Sequence, residues 1–197
     1  MPGGRFVRDQ RGHLTGKLFE TSAISKIVSS IPRISHEKLR QAVRDQCKDS
    51  ASRGFTTVTE LLYMPSKVMN NILAKESDSL PVRLALYRSV QGPDMNTAQP
   101  AFEASEKLWE AGVKLVADGS PHCGTAAVQE PYFLSDLTEI LGFPTLLGCG
   151  ALNFTNEKLL ETVEFFHQKR KQIAIHAHGE RAVDQVISVY EQVHIKL

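Results

Sequence analysis

The feature that most constrains the fold is a regular alternation of strand-like and helix-like segments after residue 34. β-Branched and apolar runs predict strands over 55–63, 81–90, 113–119 and 172–179, and amphipathic runs predict helices over 34–54, 65–77, 102–112, 155–171 and 180–193. The first three strands are centred about 30 residues apart, the length of a βα unit. This alternation favours a parallel sheet with helices outside it, either open or closed into a barrel. Residues 1–34 are turn-rich, and 120–153 is predicted to be a long loop.

Composition excludes several classes of protein. The 197 residues carry a net charge of +1 and no basic run with interleaved aromatic residues, so we expect no nucleic-acid partner. No stretch reaches the ~18 apolar residues of a membrane span, and Met1 is not followed by an apolar leader. The three scattered cysteines are typical of a reduced protein, and we expect a cytoplasmic location.

A lysine stands inside the strand predicted over 113–119. Parallel strands are covered on both faces, so a buried ammonium there is costly unless it is paired. One interpretation is structural: the lysine extends its amine to solvent from the start of the strand, or it pairs with Asp118, which strand alternation places on the same side. The other is a lysine tuned by burial for chemistry or metal binding.

Two histidines end the strand predicted over 172–179. The period of two places His176 and His178 on one side of the strand, just before Gly179. Active sites of parallel α/β proteins lie at the carboxyl ends of the strands, and imidazole is a good ligand for transition metals. The sequence therefore offers two interpretations, hydrogen-bonded core histidines or a metal or catalytic pair.

The segment after the third strand carries further polar residues. His122 and Cys123 are adjacent and have no evident orienting partner, which disfavours a thiol nucleophile. A long loop that shapes a substrate pocket is the preferred interpretation. The apolar, glycine-rich run over 142–150 is predicted to be a pocket wall or a packed loop.

Four stretches together resemble the amidohydrolase superfamily. They are RGHLTGKLFE (11–20), RGFTTVTE (53–60), GVKLVADGSPHCGTAAVQEPY (112–132) and IAIHAHGERAVDQVISVYE (173–191). More narrowly, they are similar to the amidohydrolase-3 branch, which includes the YtcJ-like proteins and N-substituted formamide deformylases. The third and fourth stretches are the specific ones, and all four stand in the family's order along the chain.

The resemblance implies a (β/α)₈ barrel with a small β-domain and a metal-dependent hydrolase of non-peptide carbon–nitrogen bonds. Lys114 matches the barrel lysine that becomes carbamylated and bridges metals, and His176 matches a metal-binding histidine. Both are therefore expected to bind a divalent metal, with zinc preferred. The expected pocket for a small amide-type substrate is formed by Asp118, Ser120, His122, His178 and Arg181. Glu180 stands where the family usually has aspartate.

The chain also lacks parts of the family pattern. No His-x-His motif precedes residue 53, and neither the next metal histidine nor the last catalytic aspartate follows residue 193. A full barrel needs ~250 residues, so we expect an incomplete barrel of about four βα units. Residues 1–34 would belong to the region over the barrel and 35–197 to the partial barrel.

An incomplete barrel has two expected consequences. This chain alone is expected to be inactive, and its open sheet edges to favour self-association. The alternative is a non-catalytic binding or regulatory protein derived from such a barrel.

Overall fold

The computed structural model describes residues 4–90, 102–141, 143 and 148–195, which form two compact units. The first unit comprises Met1–Pro32, Val116–Glu161 and Ile175–Leu197, and the second comprises Arg33–Leu115 and Thr162–Ala174. The described residues form the strands β1 (Arg5–Arg8), β2 (Leu14–Phe19), β3 (Thr57–Tyr63), β4 (Arg83–Ser89), β5 (Leu108–Val116) and β6 (Gln172–His176). The α-helices are α1 (Glu20–Val28), α2 (His36–Ser52), α3 (Lys67–Glu76), α4 (Asp136–Leu141), α5 (Asn156–Gln168) and α6 (Glu180–Ile195).

A parallel four-stranded sheet organises the second unit. Its strand order is β3-β4-β5-β6, with Val58 beside Leu84 and Leu84 beside Leu108 in the register. The carboxyl ends of β5 and β6 continue into the first unit. The predicted parallel α/β fold is thus confirmed, and a four-stranded parallel sheet is consistent with part of a barrel.

Helices α2 and α3 cover one face of this sheet. Leu84, Leu86 and Leu108 share a core cluster with Cys47 of α2 and Leu73 of α3. The apolar face is buried because parallel sheets need helices to shield them. Ser35 caps α2, since its side chain accepts a hydrogen bond from the amide of Lys38 at 3.3 Å.

Two buried ion clusters hold the second unit together. Arg88 Nη2 donates to both carboxylate oxygens of Glu110 at 2.7 Å, and Lys171 Nζ lies 3.4 Å from Glu110 Oε1. The second cluster joins two helices, because the buried carboxylate of Glu76 in α3 accepts from Arg40 and Arg44 of α2.

The first unit carries an antiparallel β1–β2 hairpin followed by α1. The turn-rich sequence predicted neither element, although Gly12 sits in the hairpin turn with a φ of 82° that favours glycine. Helix α6 buries Ala182, Val186, Val189 and Val193. None of the described helices combines the length and apolar character needed to cross a lipid bilayer.

The helix predicted over 102–112 is wrong. Residues from Leu108 onward form β5, which pairs with β4 five residues before the predicted strand start at 113. Gly112 does not end a helix but lies inside the strand, where an added Cβ would come 2.3 Å from the carbonyl oxygen of Gln172. The helix-favouring residues of this segment are overridden by pairing and burial in the sheet. The predicted loop over 120–153 also contains α4 and a 3-10 turn at Pro121–Cys123.

Candidate metal centre

Three polar side chains of the first unit converge at the carboxyl ends of β5 and β6. Asp118, His176 and His178 each offer one donor atom, and these atoms lie within 4.8 Å of one another. Asp118 follows β5 and pairs with Leu152 in an isolated bridge, while β6 ends at His176. The two strand ends are joined by a hydrogen bond from the amide of Ala117 to the carbonyl of His176, at 2.8 Å.

Both imidazoles lie next to the carbonyl oxygen of Gly119. That oxygen is 3.5 Å from His176 Nε2 and 3.3 Å from His178 Nδ1. Asp118 Oδ1 lies 3.8 Å from the same His176 nitrogen. His176 is half-buried and His178 is exposed, so the cluster opens to solvent on the side of His178.

The carboxylate of Asp118 is fully buried and binds main-chain amides. Oδ1 accepts from the amide of His178 at 3.0 Å. Oδ2 accepts from the amides of Ala127 and Gly179 at 2.9 and 2.8 Å. A buried carboxylate with such partners is electrostatically satisfied, since each hydrogen bond replaces one that water would make.

The spacing of these groups fits a small divalent cation. Two donors that each lie about 2.1 Å from one tetrahedral ion are about 3.4 Å apart. The donor atoms of Asp118, His176 and His178 lie within 4.8 Å of one another, close enough to be gathered around one ion. Imidazole nitrogens with oxygen donors form a donor set that suits zinc and other first-row transition metals.

The other residues predicted for a pocket lie on the same loop or at the start of α6. Ser120 is half-buried, and its amide donates to Thr125 Oγ1 at 2.9 Å. His122 is exposed in the 3-10 turn, and Arg181 is exposed while its amide donates to the Ala127 carbonyl at 3.0 Å. The predicted substrate pocket, with Asp118 and His178 as its other members, stays a prediction.

Lys114 belongs to the second unit. It lies beside Ser89 in the register of β4 and β5, and its side chain is half-buried. Burial lowers its pKa from the ordinary value of 10.5. The predicted role of Lys114 as a metal ligand stays a prediction.

The sequence did not predict the main-chain groups that hold this site. The amides of Ala127 and Gly179 and the carbonyl of Gly119 carry no side-chain signal, although small residues mark the positions where they pack.

Of the apolar run over 142–150, only 143 and 148–150 are among the described residues. Within that part, the carbonyl of Cys149 accepts from the amide of Val128 at 3.0 Å.

Sequence comparisons identify a family and two relatives that this chain matches. The amidohydrolase family matches residues 1–197. The protein LONG AFTER FAR-RED 3 of Arabidopsis thaliana is 27% identical over 97% of this chain and 33% of its own length. A Bacillus subtilis (strain 168) protein named as the amidohydrolase YtcJ is 27% identical over 96% of the chain and 35% of its own length. The chain therefore spans about a third of the length of these relatives.

Solved structures show the same fold. A metal-dependent hydrolase from Pyrococcus furiosus, described as uncharacterized, superposes with a TM-score of 0.66 and is 20% identical, over 90% of this chain and 36% of its own. Its counterpart from Pyrococcus horikoshii OT3 gives a TM-score of 0.66 and 22% identity, over 94% of this chain and 36% of its own.

Proposed function

The chain belongs to the amidohydrolase family, and from this premise we propose that it carries part of the catalytic centre of a metal-dependent hydrolase. The reaction class is hydrolysis of carbon–nitrogen bonds other than ordinary peptide bonds, in a small amide-type substrate. The observation that carries the proposal is the pair of imidazoles of His176 and His178, which meet the buried carboxylate of Asp118 within 4.8 Å. Their position at the carboxyl ends of parallel strands is where such folds carry out chemistry.

His176 and His178 are the residues that would hold the ion. Zinc is the proposed metal, because imidazole nitrogens are among its preferred donors. When bound, a divalent ion supplies Lewis-acid chemistry for hydrolysis of the carbon–nitrogen bond. The rings are brought to one place by the end of β6 and by the carbonyl of Gly119, which lies 3.5 and 3.3 Å from their nitrogens.

Carbamylation of Lys114, the modification that the family resemblance implies, is also proposed. The half-buried position of this lysine lowers the pKa of the amine, so that a larger fraction is neutral and nucleophilic. The amine lone pair would form a bond to the carbon of CO₂, and the nitrogen would release one proton to solvent. The product is a carbamate anion in place of a cation. Mass spectrometry of the intact protein, kept in a buffer that contains isotopically labelled CO₂, tests this modification directly through the added mass.

A further proposal concerns the cellular compartment of the protein. Cys47, Cys123 and Cys149 are all free thiols, which supports a reducing compartment such as the cytoplasm.

The second candidate function is a non-catalytic binding or regulatory protein. In its favour, the described residues bring together two imidazoles and one carboxylate whose lone pairs are largely occupied.

Metal stoichiometry tests the proposed function. The purified chain is loaded with Zn²⁺, dialysed, and analysed for metal content and for binding heat by calorimetry. We expect one Zn²⁺ per chain, lost in His176→Ala and retained in His194→Ala, which removes an exposed imidazole outside the cluster. Wild-type protein that retains no zinc would refute the metal centre. Robust hydrolysis of a formamide and amide panel by this chain would instead refute its expected inactivity.

A further inference from the structure

Asp118 joins three separate stretches of the chain. Its carboxylate accepts hydrogen bonds from Ala127 in the loop after β5, and from His178 and Gly179 in the turn between β6 and α6. The three donor–acceptor distances lie between 2.8 and 3.0 Å, which is normal for strong hydrogen bonds. All of these partners are main-chain groups, so the carboxylate fixes backbone positions.

The backbone at Gly179 and the backbone at Ala127 are closely packed against each other. Gly179 meets Ala127 so closely that an added Cβ would lie 2.1 Å from the Ala127 carbonyl oxygen. Ala126 and Ala127 are buried, and the amide of Arg181 donates to the Ala127 carbonyl at 3.0 Å. The loop is therefore bound on both sides of Ala127, by Asp118 and by the start of α6.

The carboxylate also lies at the amino-terminal end of α6. This helix begins at Glu180, and the amides of His178 and Gly179 just before it point to Asp118. A negative charge at the amino terminus of a 16-residue helix is favourable, because it complements the helix dipole and satisfies amides that lack an intrahelical partner. This explains how a charge remains stable with no exposed surface.

Few lone pairs remain on Asp118 for other partners. Each carboxylate oxygen accepts about two hydrogen bonds. Oδ2 has both of its positions filled by Ala127 and Gly179, and Oδ1 has one filled by His178. Oδ1 itself lies 3.8 Å from His176 Nε2, beyond hydrogen-bond distance. The side chain can orient the neighbouring ring, but it is poorly placed to bind an ion or substrate.

We propose that Asp118 is a positioning residue, which fastens the 125–127 loop to the His176–Gly179 turn and so sets the two imidazoles in place. It neither binds the metal nor lines the substrate pocket. This inference rests on the proposed function where it concerns the metal. The fastening itself does not depend on an ion, and it is measured separately.

The first measurement uses the wild-type chain, labelled with ¹³C and ¹⁵N and titrated with Zn²⁺. We expect the ring nitrogens of His176 and His178 to shift strongly, while the side-chain carboxyl carbon of Asp118 stays nearly unchanged. The amides of Ala127, His178 and Gly179 should remain protected from hydrogen exchange throughout. A carboxyl signal that moves together with the ring nitrogens would show that Asp118 is a ligand, and would overturn the proposal.

The second measurement compares three variants. Asp118→Asn should accelerate exchange of the Ala127 and Gly179 amides by at least about tenfold, and should weaken Zn²⁺ binding by about 10- to 100-fold. His176→Ala should abolish zinc binding and leave that exchange protection intact. Asp136→Asn makes the same chemical change at an exposed position in α4, outside the cluster, and should leave both zinc affinity and amide exchange unchanged.

Two results of this comparison would contradict the proposal. One is wild-type exchange protection in Asp118→Asn, and the other is a loss of zinc affinity in Asp136→Asn equal to that in Asp118→Asn. If the wild-type chain binds no zinc, the proposed function fails, while the exchange data still decide whether Asp118 fastens the loop.

Discussion

The imidazole rings of His176 and His178 lie edge to face, with centroids 4.1 Å apart and ring planes inclined by 77°. The period of two along an extended chain predicted that both rings would lie on one side, and the structure confirms this. The contact persists although β6 ends at His176. It does so because the amide of His178 is held by a carboxylate 60 residues earlier in the chain.

Gly179→Ala should disturb the metal centre through the backbone. The new methyl group would meet the Ala127 carbonyl at 2.1 Å, so the loop or the turn must move. We expect a loss of about 1–3 kcal/mol in the free energy of unfolding, together with weaker Zn²⁺ binding. Gly12→Ala is the control, because φ of Gly12 is 82° but an added Cβ has no neighbour within 4 Å. It should cost stability and leave zinc affinity unchanged, and equal effects on zinc would refute the explanation.

Glu110→Gln should strongly destabilise the second unit. It removes the negative charge between Arg88 and Lys171, and the side chains of Arg88 and Glu110 are only 6% and 4% exposed. Leaving a buried guanidinium without its counter-charge costs about 3–5 kcal/mol. Urea unfolding measures the change. The matched control is Glu161→Gln, since Glu161 is 56% exposed in its pair with Lys158, and we expect a cost below about 1 kcal/mol.

The Glu76 cluster should make stability depend on acid pH. Hydrogen bonds from Arg44 and Arg40 lower the pKa of Glu76 from its ordinary value of 4.5. Because the folded-state pKa lies below the unfolded-state value, this stabilisation is complete above 4.5 and is lost as the pH falls through the folded-state pKa. The difference in Tm between wild type and Glu76→Gln should therefore be largest near neutral pH and shrink in acid.

Thermal melts across that pH range decide this prediction. Glu106→Gln, at an exposed position, should follow the wild-type curve. A Tm difference for Glu76→Gln that stays constant below pH 4.5 would contradict the assignment of the effect to this carboxylate.

The outer edge of β3 should promote self-association. Among the described strands β3 ends the sheet order, and Leu62 beside that edge is 48% exposed. Unpaired strand edges with apolar neighbours readily pair with other chains. Light scattering should show oligomers that grow with concentration and decrease in Leu62→Lys. Phe133→Lys, at a residue that is 84% exposed outside the sheet, should have little effect, and a monodisperse wild-type monomer would argue against the prediction.

The strands with clear apolar character were predictable from the sequence. β3, β4 and β6 lie within their predicted ranges, because β-branched and apolar runs bounded by turn residues carry the signal themselves. The first half of β5 was not predictable in this way. Its residues Trp109, Glu110 and Ala111 gain their strand conformation from pairing beside β4, and Glu110 is tolerated because Arg88 and Lys171 neutralise its charge.

The sequence indicated part of the side-chain cluster but none of the main-chain contacts around it. Strand ends and the period of two indicated His176 and His178 without any structure. The role of Asp118 was not evident, because its partners are amides that every residue except proline possesses. Only the close approach of Gly179 to Ala127 reveals why small residues stand at both positions.

The hydrogen bonds that fasten the 125–127 loop explain why the DGS, TAA and HG residues occur together in this sequence. The aspartate of DGS accepts hydrogen bonds from main-chain amides of the TAA segment and of the HG pair, and Gly179 meets Ala127 in a contact that tolerates no larger residue. We expect any protein that carries the same residues in this order to form the same turn, whatever reaction it performs or has lost. Across such proteins, the presence of this signature should follow the architecture of the strand ends more faithfully than it follows turnover.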